Sequence, residues 1–257
     1  KLLIPSIQEA LSIAQESGVP LHISHFKAAG RRSWGTTFDK GMELIEKARL
    51  QGLDVTCDVY PYHAGSSSFT SLLPPWSLEG GIECTLERIR NRESRVRIRE
   101  ELKQEADTWD NLVCSTGWDH VLISSTGKAE NRSWVGKSVA WIAKERKQEE
   151  VECALDLFLE DEGRTGIVFF HMSEGDVRKA IAWDLSCIVS DSLYNREGNP
   201  HPRLYGTFPR LFAKYVREEK VLSLEEAVRK VTSFPARRFH LGKRGLLAPG
   251  YEADITI

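Results

Sequence analysis

Long apolar runs are missing from this 257-residue sequence, and so is any large excess of one charge. No segment approaches the roughly 20 consecutive apolar residues that a membrane-spanning helix requires. Lysine and arginine number 35 against 37 acidic residues, for a formal net charge of -2. This balance argues against a nucleic-acid-binding surface, because phosphate contacts need clustered positive charge. We therefore expect neither a membrane protein nor a nucleic-acid-binding protein.

Cysteine is also scarce. The five cysteines are an odd number and show no Cys-x-x-Cys spacing, which favours reduced thiols and a cytoplasmic location over a disulfide framework. Cys57 and Cys187 fall inside predicted strands and are expected in the core. The sequence begins at Lys1 without a signal-peptide pattern or a methionine, and a predicted helix follows almost at once.

Helix, glycine and apolar strand alternate through much of the chain, a pattern typical of parallel strands joined by crossover helices. The segments with the strand pattern are 19–25, 53–60, 166–171 and 186–190. Four such units make half of a TIM-type (β/α)8 barrel. Because half a barrel has two open edges, we expect either a longer natural chain on the amino-terminal side or an open α/β sheet, and favour the former.

Residues 77–164 interrupt this rhythm and are predicted to form a mainly helical insertion within a barrel portion spanning 1–241. Its predicted elements are a charged helix at 86–107, strands at 112–115 and 121–124, and helices at 135–147 and 149–162. The position of the block suggests a lid, as a hypothesis. Residues 242–257 are predicted to leave the barrel as the returning strand of a small flanking β-sandwich, since 253–257 alternate after a Pro-Gly turn.

Polar side chains follow each predicted strand, where parallel α/β barrels carry their catalytic groups. They are His25, Lys27, Asp58, Tyr60, Tyr62, Ser66, His171 and Asp191, with His201 and Arg203 further on. A single histidine of this kind is more often structural, and Asp191 alone also fits a helix cap. Four strand ends with such residues together suit a metal-assisted hydrolase, because imidazole and carboxylate bind zinc and a carboxylate can transfer protons.

Motifs in a fixed order span nearly the whole chain. They are ISHFKAAG with SWG (23–30, 33–35), DVYPYHAGS (58–66), LPPW with GG (73–76, 80–81), HMSEGDV (171–177), VSDS (189–192), HPRLYGTFPR (201–210) and GLLAPGYEADI (245–255). Each is weak alone. Together they resemble the N-acyl-D-amino-acid deacylases, or D-aminoacylases, of the amidohydrolase superfamily.

The resemblance implies a zinc-dependent hydrolase that removes the acyl group from a small-molecule N-acyl-D-amino acid. His25 would be a zinc ligand, and Asp191 would be both a metal ligand and the general acid/base. The residues implied to bind the substrate's α-carboxylate or scissile carbonyl are Lys27, Tyr62, Ser66 and Arg203. The planar guanidinium of Arg203 suits a carboxylate best.

The other histidines are assigned lesser roles. His171 and His201 are predicted as pocket-lining residues that do not bind metal, and His201 is predicted to order its loop. His22 lies an odd number of residues before His25, so it is expected to face the opposite side of the strand and pack against a helix. His63 occupies a position where the resembling family tolerates many residues.

The sequence also departs from the family pattern. It has no His-x-His after a first strand, no bridging cysteine and no Thr-His-x-Arg segment. Zinc normally needs three protein ligands plus water, whereas His25 and Asp191 supply at most two. We therefore expect the remaining ligands of one or two zinc ions to come from a segment absent here, and this chain to be the carboxyl-terminal part of a longer enzyme that turns over little by itself.

Two alternatives stay open. One is another amidohydrolase, either a peptidase or a cyclic-amide hydrolase, which would keep Asp191 but have less use for Arg203 and Tyr62. The other is a non-catalytic scaffold on a degenerate barrel. The sequence specifies neither the amino acid side chain, nor the acyl group, nor the oligomeric state.

Overall fold

The computed structural model describes residues 2–106, 108–193 and 198–256. The first elements are α1 (Leu3–Ser17), β1 (Leu21–Ile23), α2 (Thr36–Leu50), β2 (Val55–Val59), β3 (Gly65–Ser68), α3 (Ile82–Arg90), α4 (Arg92–Lys103), α5 (Leu112–Thr116) and β4 (Val121–Ser125). The elements that follow are α6 (Val139–Arg146), α7 (Glu150–Glu160), β5 (Gly166–Phe169), α8 (Glu174–Ala182), β6 (Ser186–Ile188), α9 (Arg203–Arg210), a π-helix (Leu211–Glu218), α10 (Leu224–Val231) and α11 (Ser233–Arg238). Short 3-10 helices lie at Arg31–Ser33, Phe69–Leu72, Pro75–Leu78, Trp118–His120 and Ala129–Trp134.

A parallel sheet of order β1-β2-β6 forms the first of two regions. We call this sheet, with α1, α2, α8 and the π-helix, the parallel region. Alternate strand side chains such as Val55, Cys57 and Ile188 point into an apolar core shared with these helices, as expected for a sheet covered by crossover helices. The α/β class predicted from the sequence is confirmed.

The second region, residues 65–169, is built on an antiparallel sheet of order β3-β5-β4 and is called the antiparallel region. Helices α3, α4, α6 and α7 pack on it around a separate core that includes Phe69, Phe158 and Phe169. The expectation that the strand at 166–171 belongs with the parallel strands is wrong, since β5 pairs antiparallel with both of its neighbours. A short apolar run does not encode the direction of its partners.

Two further predicted strands are absent from the residues that the structure describes. Residues 112–116 form α5, because the Asn111 side chain accepts a hydrogen bond from the Cys114 N–H and caps a helical turn. Residues 253–256 are exposed and pair with no strand among the described residues. A lone strand without partners has no ladder to stabilise it.

Helix boundaries follow local capping chemistry. The single helix predicted over 86–107 is interrupted at Asn91, which ends α3 and caps α4 by accepting from the Ser94 N–H at 3.0 Å. Ser223 caps α10 by accepting from the Glu226 N–H, and α1 ends at Gly18 in the left-handed conformation. In the described ranges, no helix is long and apolar enough to cross a bilayer.

Candidate active site

The carboxyl ends of the parallel strands bring together residues that are far apart in sequence. We call this end of the parallel sheet the carboxyl edge. In register, Ile23 lies beside Cys57, and Asp58 lies beside Cys187. Backbone hydrogen bonds from Phe26 N to Asp58 O and from Val189 N to Val59 O extend the pairing past the strand ends. The chain segments that carry His25, Tyr60 and Asp191 therefore leave the sheet at one edge, as predicted from the strand pattern.

The side chain of Asp58, in β2, holds the backbone and side chains of residues at the end of β1. Its side chain is buried and accepts hydrogen bonds from the His25 N–H, the Ser24 hydroxyl and His22 Nε2. Burial alone would raise the pKa of this carboxyl, but the hydrogen bonds from His22, His25 and Ser24 outweigh burial and lower it. The carboxylate thus stays ionised and fixes the backbone at His25.

His25 is exposed and adopts a left-handed backbone with φ of 42°. Its Nδ1 lies 2.7 Å from Lys27 Nζ, and its carbonyl oxygen accepts from the same ammonium at 2.8 Å. Burial and the neighbouring Arg203 lower the pKa of Lys27 to about 8, while Asp191 and Asp58 act in the opposite direction. Lys27 is therefore coupled both to His25 and to the charges at the end of β6.

The Tyr60 ring lies close to two cations, Lys27 and Arg203, which come from different segments of the chain. Lys27 Nζ lies 5.3 Å from the centroid of its ring, and Arg203 Cζ lies 4.6 Å from the same centroid. Both cations interact favourably with the electron-rich face of the ring. Burial raises the pKa of Tyr60 to about 12, so its hydroxyl keeps its proton at neutral pH. Sequence patterns placed Tyr60 at a strand end, but selected Tyr62 for binding.

Asp191 and Arg203 form an ion pair, with Arg203 Nη1 2.8 Å from Asp191 Oδ2. The Arg203 side chain is 6% exposed, whereas the Asp191 side chain is 35% exposed. Asp191 has a left-handed backbone with φ of 48°, and Arg203 is the first residue of α9. The sequence named both residues but did not indicate that they contact each other.

His201 holds the backbone of Arg203, and Tyr62 packs against His201. His201 Nε2 lies 3.0 Å from the Ala64 carbonyl oxygen and Nδ1 accepts from the Arg203 N–H, which defines the proton on Nε2. Burial and Arg203 lower the pKa of His201 to about 4. Tyr62 packs edge-on against His201, with centroids 5.1 Å apart, and its ring faces Arg210 and not Lys27 or Arg203.

Ser66 lies on β3 and lines a groove between the antiparallel sheet and the start of α9. The groove has a volume of about 360 Å³ and is lined by Ser66, Ser192, His201 and Arg203 together with serines of β3 and β4. A narrower cavity of about 20 Å³ lies between His25, Lys27, Tyr60 and Met172, with room for about one water molecule. Open space thus flanks Arg203 on one side and Lys27 on the other.

His171 follows β5 and lies next to Tyr60 across Gly65. Both of its ring nitrogens are buried, and neither has a hydrogen-bond partner among the described residues. Burial, Lys27 and Arg203 together lower its pKa to about 3, so the imidazole is neutral at physiological pH. Its pocket-lining role stays a prediction, since His171 is not among the residues that line the two cavities above. Its unpartnered nitrogens are a feature that the sequence did not indicate.

The remaining histidines lie to the sides of this edge. His22 makes an edge contact with Phe239, directly after α11, and also bonds Thr56 and Asp58. The sequence anticipated the packing but not the bond to Asp58. His63 Nδ1 lies 3.4 Å from Glu174 Oε2, and its ring packs on Phe170.

A complete metal site is absent from the part of the chain that the structure describes, which contains no group of three or more His, Cys, Asp or Glu able to hold an ion. His25 and Asp191 offer a nitrogen and an oxygen of the kind that zinc accepts. A cationic side chain stands at each of these donors, Lys27 at His25 Nδ1 and Arg203 at Asp191 Oδ2. A metal ion at either atom would have to displace that cation.

Comparison with known proteins connects this geometry to a family. Residues 187–257 match the profile described as Amidohydrolase family. The chain is 31% identical over 252 residues to N-acyl-D-glutamate deacylase of Alcaligenes xylosoxydans xylosoxydans, covering 98% of this chain and 41% of that relative. The chain therefore spans less than half of the length of that relative.

Solved structures agree with the sequence comparison. A crystal structure of D-aminoacylase aligns with a TM-score of 0.73 at 28% identity, covering 99% of this chain and 43% of that chain. N-acyl-D-glutamate deacylase from Bordetella bronchiseptica, complexed with zinc and a phosphonate inhibitor that mimics the tetrahedral intermediate, aligns with a TM-score of 0.71 at 26% identity, covering 97% and 42%. The resemblance that the motifs indicated is confirmed, and the α/β fold matches these structures.

Proposed function

We propose, from the similarity of this chain to the N-acyl-D-amino-acid deacylases over nearly its whole length, that it forms part of an amide hydrolase that removes the acyl group from N-acyl-D-amino acids. The observation that carries the proposal is that Lys27 and Arg203 both lie close to the ring of Tyr60, beside the exposed carboxylate of Asp191. A site with two cations and one carboxylate suits a substrate that has both a free carboxylate and a bond to hydrolyse.

The two cations would bind the α-carboxylate of the substrate. Arg203 is nearly buried and Lys27 is largely desolvated, so an arriving anion interacts with both in a medium of low dielectric constant. The protonated hydroxyl of Tyr60 would add a neutral donor, and Ser66 would contact the substrate from the groove beside Arg203. In this proposal Tyr62 acts indirectly, by packing on His201.

Asp191 would act as general base and then as general acid. Only its Oδ2 is engaged by Arg203 within the described residues, which leaves Oδ1 for the reacting water. The carboxylate takes a proton as the water oxygen bonds to the acyl carbon, and returns it to the amide nitrogen as the C–N bond breaks. The products are a carboxylic acid and a free D-amino acid.

His25 and Asp191 would contribute to holding zinc, which in such sites polarises the carbonyl and lowers the pKa of bound water. These two residues fit the chemistry of zinc but do not complete its coordination. We propose that the other ligands lie in the part of the deacylase length that this chain does not span. Within the same proposal, the three parallel strands belong to a TIM-type barrel completed by that part.

The test uses the full-length gene product. We expect stoichiometric zinc by elemental analysis and hydrolysis of N-acetyl-D-amino acids in preference to their L enantiomers. Asp191→Asn should lower kcat by about 10²- to 10⁴-fold with an unchanged circular dichroism spectrum, whereas Asp119→Asn, at an exposed carboxylate of the antiparallel region, should leave kcat unchanged.

Absence of zinc from the full-length protein would favour a non-catalytic scaffold. Full turnover by the Asp191→Asn variant would remove the proposed acid/base, whatever the metal content.

A further inference from the structure

His171 is held firmly while its ring is left without partners. Its carbonyl oxygen accepts hydrogen bonds from the Gly30 N–H at 2.8 Å and from Trp34 Nε1 at 3.0 Å. Its ring stands edge-on to Phe169, with centroids 5.1 Å apart. Both ring nitrogens are nevertheless covered and unbonded in the described structure. Because buried polar groups are nearly always paired, such a group calls for an explanation.

A glycine makes room for this ring. A Cβ atom at Gly65 would lie 3.0 Å from His171 Cε1, 3.2 Å from Nε2 and 3.5 Å from the Tyr60 hydroxyl. Gly65 is not among the glycines with positive φ, so its backbone does not require glycine. The absence of a side chain at 65 is explained by the close approach of His171 and Tyr60 to the same point.

The charges around the ring identify the kind of ligand. Lys27, Arg203 and His201 are the titratable neighbours that act on the imidazole, and all three disfavour its protonation. A neutral imidazole carries one N–H donor and one acceptor. Beside two cations, the partner that arrives is an anion, and a carboxylate accepts from an N–H.

We infer that His171 is a ligand-binding residue of this site, and that its neutral imidazole donates a hydrogen bond to the carboxylate bound by Lys27 and Arg203. The inference rests on the proposed function, because it takes that carboxylate to be the one of an N-acyl amino acid. Tyr60 and His171 then supply neutral donors on one side of the anion, and the two cations supply its counter-charge.

Calorimetric titration of the metal-free full-length protein with N-acetyl-D-alanine tests this inference, since no turnover is needed. His171→Phe keeps the ring shape and removes both nitrogens. We expect its Kd for N-acetyl-D-alanine to rise by about tenfold, while its melting temperature is unchanged or higher because two unpaired buried nitrogens are gone. Binding of N-acetyl-D-alaninamide, which lacks the carboxylate, should be weak in both proteins.

Glycine variants provide a matched pair. Gly65→Ala pushes the His171 ring aside and should raise the Kd by several-fold. Gly175→Ala, in α8, meets only an ordinary contact at 3.4 Å from Ser173 Oγ and should leave the Kd unchanged. Imidazole resonances of His171 in the parent protein should also shift when N-acetyl-D-alanine binds.

The outcomes separate the two proposals. A Kd for His171→Phe within twofold of the parent, or no shift of the His171 resonances in the parent, overturns the role of His171 and leaves the proposed function intact. A parent protein that does not distinguish N-acetyl-D-alanine from its amide overturns both.

Discussion

The parallel and antiparallel regions each bury an aspartate, and the two carboxylates show how differently similar chemistry is used. Asp161, in the antiparallel region, accepts from the Gly127 and Lys128 N–H groups, from the Asn131 side-chain amide and from the Thr165 hydroxyl. Its partners hold a loop to the end of α7. Asp58 accepts from His22, Ser24 and the His25 N–H, and thereby fixes a residue at the candidate site.

The comparison teaches that burial of a charged group does not by itself indicate function. Both carboxylates are paired, as burial requires. They differ in what lies beyond their partners: a surface loop next to Asp161, and a cluster of cations and open space next to Asp58. The other buried polar side chains of the antiparallel region, such as Ser77, Thr85 and Asn131, carry no charge. At the edge of the parallel sheet, by contrast, Lys27, Asp191 and Arg203 bring charges close to one another.

The largest expected difference from the parent protein is in stability, and it tests the comparison of the two aspartates. Asp58→Ala leaves three donors without an acceptor and Asp161→Ala leaves four. We therefore expect the two variants to lower the free energy of unfolding by about 3 and about 4 kcal/mol, at about 1 kcal/mol per lost bond. Urea denaturation measures it. Per folded molecule, only Asp58→Ala should also weaken zinc binding and turnover. Equal effects of both variants on turnover would remove the functional distinction.

A second test compares two arginines. Arg203→Leu should lower kcat/KM for N-acetyl-D-amino acids by about 100-fold, or about 2.7 kcal/mol, because the carboxylate loses its buried counter-charge. The kcat/KM of Arg203→Lys should lie between those of the parent and of Arg203→Leu, since the charge is kept but the planar fork of the guanidinium is lost. Arg146 makes two bonds of 2.8 Å to Glu160 in the antiparallel region, and Arg146→Leu should leave kcat/KM unchanged.

The Arg203 series also separates the deacylase from its relatives. Steady-state kinetics on cyclic amides and on carboxylate-free amides complete the measurement. A loss on those substrates equal to the loss on N-acetyl-D-amino acids would count for a peptidase or cyclic-amide hydrolase.

The smallest effect is a pH dependence. The folded-state pKa values of His171, about 3, and His201, about 4, lie below the unfolded value of about 6.5. At pH values between the folded-state and the unfolded-state pKa, the unfolded chain binds protons that the native state does not. The free energy of unfolding should therefore fall as the pH falls below about 6.5, by up to about 1.4 kcal/mol per pH unit for each histidine.

Urea denaturation between pH 4 and pH 6 measures that slope. His171→Phe should flatten it by the share of one histidine. An unchanged slope would show that the imidazole of His171 is protonated in the native state, contrary to its environment.

Local chemistry made much of this molecule predictable. The alternation of glycine with apolar runs located β1, β2 and β6, and their polar ends correctly pointed to one edge with His25 and Asp191. The direction of β5 was not predictable, because its partners β3 and β4 lie far from it in sequence and four apolar residues fit either sheet.

The fine structure of the site was also beyond sequence patterns. Tyr60 and Tyr62 are both tyrosines at the end of one strand, and only the path of the chain after Val59 decides which ring meets Lys27 and Arg203. The pairing of Asp191 with Arg203 likewise depends on a loop that returns to the sheet edge. Contacts of this kind are set by tertiary structure and leave no local periodicity.

The left-handed backbones of His25 and Asp191, with φ of 42° and 48°, have a consequence for how the protein matures. Neither residue prefers this conformation in a free chain. Short peptides that contain them are therefore not expected to adopt the backbone angles of the site. We expect the two residues to reach these angles only once the neighbouring strands have paired. The chemistry of the edge is then among the last features to form as the chain folds, and among the first to be lost when the sheet loosens.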